Sequence, residues 1–363
     1  MKKHLYAMAA VAATGAFAAG PALAQSNITI YGSLDAGVAW IDNLNGSSTS
    51  RLDQGTMQPD RFGFRGTEDL GNGLKAVFQL EGGFGTDTGN MVSANRLFNR
   101  LSIVGLSGSF GTVTLGNMPD IVFDYAGKLS NGFQLTNFYL FHPGNLDTLA
   151  NTYQFNNSVR YTSPTVNGLA FSAMVGAGEQ PERSSRNRNT SAGATYTNGA
   201  LRMALAYSRQ NDRAAGYSGA FLSSLNLGNA ATVFDRLTTW AGGAGYTVGD
   251  WRLNALYTQS TVDLPSTSFR QRNLDLGAAW RYGARSTVNL GYTRSQVSGS
   301  LDDAKYDQAS ASHVVALSKR TEFYVQAAYQ KAGGSASFAF QNYAGASGDD
   351  SQVVTTIGVH HLF

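Results

Sequence analysis

The chain contains no cysteine, which excludes a disulfide framework and any thiolate metal site. Charge is scarce as well. Only 14% of residues are Asp, Glu, Lys or Arg, against about 25% in an ordinary soluble domain. Proline is rare, with 7 in 363 residues, and past residue 24 no apolar run approaches the ~18 residues a membrane helix requires. The formal charge of +3 is small, and no Lys/Arg tract is interleaved with aromatics, so a nucleic-acid partner is not expected. No motif calls for a cofactor or a metal.

What the chain does have is glycine (42 residues), aromatics (11%) and a 42% apolar share under a negative mean hydropathy of −0.19. Its start is an export signal. Lys2 and Lys3 precede an Ala-rich stretch from Leu5 to Ala19, and Ala22-Leu23-Ala24 forms a small-x-small cleavage site. An N-terminal anchor is the weaker reading, because the stretch is short and broken by Gly20-Pro21. Residues 1–24 are therefore expected to be a cleaved signal peptide and 25–363 the mature domain, starting at Gln25. Removing the two lysines lowers +3 to +1.

A polar chain without apolar runs has one way to sit in lipid, the closed β-barrel. Alternation supports it. Ile28, Ile30, Gly32, Leu34, Ala36, Val38 and Trp40 share one parity, and Thr29, Tyr31, Ser33, Asp35 and Gly37 the other; successive strand residues point to opposite faces. The same pattern recurs at 74–81, 201–208, 251–257 and 322–329. A soluble sandwich alternates too, but here short connections such as 68–73, 107–111, 197–199 and 248–250 trade places with long polar segments. Those are 41–60, 82–96, 177–189, 210–233, 260–270, 296–305 and 332–350. Short turns on one rim and long loops on the other mark an outer-membrane barrel. The fold class expected is all-β, a transmembrane antiparallel barrel of about sixteen strands, wide enough for an aqueous channel. Trp251 and Phe363 are assigned to the periplasmic aromatic girdle.

Several blocks resemble the trimeric general porins of Gram-negative bacteria, in their β-proteobacterial branch. They are Ile30-Tyr31-Gly32 with Asp35-Ala36-Gly37, the run Arg61-Phe62-Gly63-Phe64-Arg65-Gly66-Thr67-Glu68-Asp69-Leu70-Gly71-Asn72-Gly73-Leu74-Lys75-Ala76, Val104–Gly108 with Phe110–Gly116, Asn157–Tyr161, Leu317–Thr321 and the terminal Gly358–Phe363. The 61–76 block is the most specific. The resemblance implies a homotrimer in the outer membrane of a Gram-negative bacterium, passing small hydrophilic solutes and ions. It implies contact with outer-membrane lipid and lipopolysaccharide, and a third long loop, Met118 to about Phe155, folded into the lumen. Asp120 and Asp124 on that loop would face a basic wall. Parity independently puts Arg61, Arg65, Lys75, Arg100 and Arg160 on the polar face, which favours a weak anion preference. Phe363 looks like the signal read by the barrel-insertion machinery. Gly32 and Ala36, small and on the lipid face, would let a neighbouring subunit approach. Two departures stand out: Asn117-Met118 where the family often has Arg-Gln, and His360 and Leu362 where it tends to be basic.

Other function classes find less support. Gly105-Leu106-Ser107-Gly108-Ser109 lacks the last glycine of a nucleophile elbow, and His142 with Asp147 lacks a nucleophile, so an enzyme is not expected. Gly82–Asp87 opens like a calcium β-roll, but one copy cannot complete a site. His360 and His361, adjacent on a strand, face opposite ways. A substrate-specific channel, or an adhesin or receptor acting through 210–233 and 332–350, remains an alternative on the same barrel.

Overall fold

A computed structural model describes residues 27–179, 186–229, 231–299 and 303–363; the expected signal peptide and its cleavage site lie outside the described residues. The strands are β1 (Asn27–Leu44), β2 (Ser47–Gln54), β3 (Arg61–Gly71), β4 (Leu74–Gly83), β5 (Leu101–Gly108), β6 (Gly111–Pro119), β7 (Gln154–Thr162), β8 (Leu169–Gly176), β9 (Asn189–Asn198) and β10 (Leu201–Ala214). They continue as β11 (Val233–Val248), β12 (Trp251–Leu264), β13 (Thr267–Tyr282), β14 (Ser286–Gly299), β15 (Ala304–Ala316), β16 (Thr321–Gly333), the two-residue β17 (Phe340–Gln341) and β18 (Gly345–Ala346), and β19 (Ser351–Leu362).

All but β17 and β18 form one 17-stranded sheet. From β3 onward each strand pairs antiparallel with the next, β16 pairs with β19, and β19 closes on β1 from Ser33↔Leu362 to Ile41↔Val354. The lower half of β1 pairs with β3 (Asn27↔Thr67 to Ser33↔Arg61) and its upper half with β2 (Ala36↔Gln54 to Leu44↔Ser47). β2 and β3 are thus two halves of one stave, interrupted at 55–60. So counted, the 17 strands make 16 staves of a closed antiparallel barrel.

Inside the bilayer the alternation is the expected one. Ile28, Ile30 and Val38 point outward at 65%, 64% and 61% exposure, while Ser33 and Asp35 are fully buried. Above it the pattern inverts. In β12 and β13 the inward Val262 and Phe269 are buried, whereas Asp263 and Arg270 face out. Leu237, Val297, Tyr306 and Ala332 are likewise buried inside, with Phe221, Leu222 and Phe340 from the loops packed onto them. The extracellular rim is therefore built like a soluble barrel, with charge outside and a greasy core beneath a roof of loops. This corrects two expected loops. Segment 260–270 is mostly strand, with only Pro265-Ser266 between Leu264 and Thr267. Segment 41–60 contains a hairpin turned by Asn45-Gly46, whose φ values of 50° and 88° suit the primed turns that such a pair favours.

The seam carries a second correction. Gly32 and Phe363 exchange backbone hydrogen bonds at 3.1 and 3.2 Å. A Cβ on Gly32 would sit 2.1 Å from the Phe363 ring. Gly32 is small because its own C-terminus covers it, so it is not a free contact for another subunit. Trp251 stacks on Trp280 at 5.7 Å, and Phe363 is exposed on the outer face.

Candidate functional site: the narrowed lumen

The chain between β6 and β7 folds into the barrel through short helical turns such as Val122–Ala126 and Asn131–Gln134. The wall is trimmed to admit it. A Cβ on Gly193 would lie 2.9 Å from Ile121, and one on Gly277 would lie 2.4 Å from Asn131. Ala204, Ala206 and Ala241 pack against the loop's buried Ile121, Val122 and Leu129.

Buried polar contacts then fix it. His142 Nδ1 lies 2.5 Å from Asp147 Oδ2 and Nε2 lies 3.0 Å from Asp275 Oδ1. Thr258 and Asn273 donate to Asp147 at 2.6 and 3.1 Å, while Thr293 and the Asn131 N–H donate to Asp275 at 2.6 and 2.9 Å. Burial alone would disfavour the imidazolium, but the flanking Asp147 and Asp275 outweigh it and push His142 up to about 10. Asp147 is held below its usual range, its burial outweighed by the His142 charge and the bonds it accepts.

A cavity of about 750 Å³ lies between loop and wall. Arg61, Arg100 and Arg160 line one side, and Phe123, Asp124, Lys128, Phe133 and Phe138 the other. Arg160 is ion-paired to Asp124. Glu81 accepts from Arg100 at 2.7 Å and lies 3.7 Å from Arg61. Upward, the cavity shares Pro59, Arg100, Phe138 and Asn151 with one of about 410 Å³ bounded by Tyr217 and Tyr343. Downward, it shares Met57, Thr136 and Glu322 with one of about 440 Å³ reaching Asp250 and Arg281 at the periplasmic turns. The three cavities adjoin one another through these shared lining residues.

Of the residues read from sequence, Arg61, Arg100, Arg160 and Asp124 meet at this cavity. Arg65 lies lower on β3, its guanidinium 5.3 Å from the centroid of the Tyr31 ring, and Lys75 sits opposite Asp69 in the strand register beside the periplasmic turn. Asp120 does not face the lumen. It is fully buried against the wall, accepting from Ser191 at 2.5 Å and Gln210 at 3.3 Å, and so anchors the loop. Sequence reading missed Lys128, Glu81, Glu322 and the phenylalanines. It passed over the inward small residues Ala204, Ala206 and Gly193, a signal that something packs against that wall.

The profile of the Gram-negative porin family matches residues 7–335. The chain belongs to the Gram-negative porin family. This porin is 31% identical over 393 aligned residues to outer membrane porin protein 32 of Delftia acidovorans, covering 100% of both chains. It is 29% identical to an outer membrane porin of Bordetella pertussis, again over 100% of both. Among solved structures it resembles the anion-selective porin from Comamonas acidovorans, with a TM-score of 0.78, 26% identity, and coverage of 93% of this chain and 100% of that one. The family and its fold are those of non-enzymatic channels, and this porin is located in the outer membrane.

Proposed function

We propose that this porin lets small hydrophilic solutes and ions diffuse through its water-filled lumen, with a weak preference for anions set at the narrowing. The observation that carries the sign of the preference is the Arg61–Arg100–Arg160 cluster. With Lys128 these are four cations among the lining residues, against the carboxylates Glu81, Asp124 and Glu322. At a Debye length of about 8 Å in physiological salt, such fixed charges act on every ion that passes. The selectivity of the Comamonas relative points the same way.

The same reading includes a homotrimer, a leader of residues 1–24 removed on export, and Phe363 as the terminal signal for barrel insertion. Lipopolysaccharide contact is supported by outward Arg236, Arg270 and Arg294 on the extracellular rim, above the paired rings Tyr207 and Trp240. A catalytic reading has one geometric argument: Ser33 Oγ lies 3.1 Å from His360 Nε2, whose Nδ1 lies 3.0 Å from Glu322. Ser33 is fully buried, and Gln58 Oε1 competes for the same imidazole nitrogen at 3.0 Å. A hydroxyl so buried is closed to a substrate carbonyl, and we read the trio as structural.

The test is the zero-current potential of the trimer in a planar bilayer under a KCl gradient. A modest anion-selective potential with ohmic conductance is expected. A cation-selective potential would contradict the assignment of these arginines to the permeation path.

A further inference from the structure

The loop side of the narrowing is aromatic where a charged face would be the plainer partner for a cationic wall. Phe123, Phe133 and Phe138 line it, and Phe133 is 41% exposed inside an aqueous lumen. Large apolar side chains left wet inside a binding-sized cleft are the informative exception to burial. The loop's one lining carboxylate, Asp124, is already held by Arg160. Lys128 on the same loop is exposed and, among the described residues, has no ion pair. Above, Phe138 contacts Tyr343 edge-on at 5.6 Å, so the aromatic surface continues into the upper cavity.

A cationic wall facing an aromatic one matches an anion with a flat apolar body. We infer that the narrowing favours aromatic monocarboxylates over aliphatic ones of equal charge and similar size. The carboxylate meets Lys128 and the Nη groups of Arg100, whose Nε already donates to Glu81. The ring lies against Phe133 and Phe138 in edge-to-face or offset geometry, which an aliphatic ring cannot reproduce. Arg160 already lies over an aromatic ring, 5.7 Å from the Tyr125 centroid, and the same attraction is open to a ring in transit. This rests on the anion-preferring reading above, and names the solutes it serves.

The experiment uses trimers in a planar bilayer and reads the concentration of added acid that halves the KCl current. The probes are benzoate and cyclohexanecarboxylate, equal in charge and nearly equal in bulk. Benzoate is expected to half-block at a concentration lower by between about two- and tenfold, the range of an aromatic pair contact. The double variant Phe133→Ser/Phe138→Ser should bring the two acids together. Lys128→Met should raise both half-blocking concentrations while leaving their ratio in place. Equal block of the wild-type pore by the two acids overturns the inference without any variant. So does a benzoate advantage that survives the double variant, given heat-modifiable trimers that show it folded. A cation-selective wild type would instead overturn the anion reading itself, so the two failures are distinct.

Discussion

At the residue scale, His142 shows how much one side chain can hold. Both its nitrogens face carboxylates, so it is the cation between Asp147 and Asp275. Replacing it with Ala leaves two buried carboxylates without their partner, a defect worth about 3–5 kcal/mol when a buried pair is broken. We expect His142→Ala to give a noisier, larger single-channel current as the loop loosens; a quiet current of wild-type size would show that the loop is held elsewhere. The pH dependence has a definite sign. His142 stays protonated to about 10 in the folded chain against 6.5 ordinarily. Its contribution is therefore complete below 6.5, fades as pH rises, and is gone above 10. The difference in thermal stability between wild type and His142→Ala should shrink over that window. Sequence showed His142 and Asp147 as neighbours, but Asp275 is 133 positions away and meets them only when the barrel closes. The arginines teach a related limit. Parity reports the face a side chain takes, not its height, so Arg65 and Lys75 shared the polar face with Arg61 yet lie below the narrowing.

At the element scale, the strands within the lipid were legible because bilayer and water impose opposite polarities on their faces. Where β10 to β16 rise above the bilayer, that contrast reverses, as at Val262 and Asp263, and the outward charges read as loop. The Asn45-Gly46 turn went unread because it is set in a polar run that masks the short β2. The β1–β19 seam gives a test of its own. Gly32→Val would put side-chain carbons where the Phe363 ring lies, and the ring would have to leave. The expected result is a smaller heat-modifiable fraction in the outer membrane, and deleting Phe363 should produce a similar loss. Normal assembly of Gly32→Val would mean that the ring's seat on β1 is dispensable.

At the scale of the whole molecule, the barrel is a scaffold that places three guanidinium groups opposite a loop tethered to the wall strands through Asp120, His142 and Asp147. Net charge says little here, since the whole chain carries only +3 over 363 residues; local charge at the narrowing is what an ion meets. The most direct test of that claim is the zero-current potential in a dilute KCl gradient after Arg61, Arg100 and Arg160 are replaced together by Gln. With Glu81 left unpaired, the potential is expected to move to cation preference, and the shift should shrink toward 1 M salt, where the Debye length is only about 3 Å. A triple variant that keeps the wild-type potential at low salt would contradict the account.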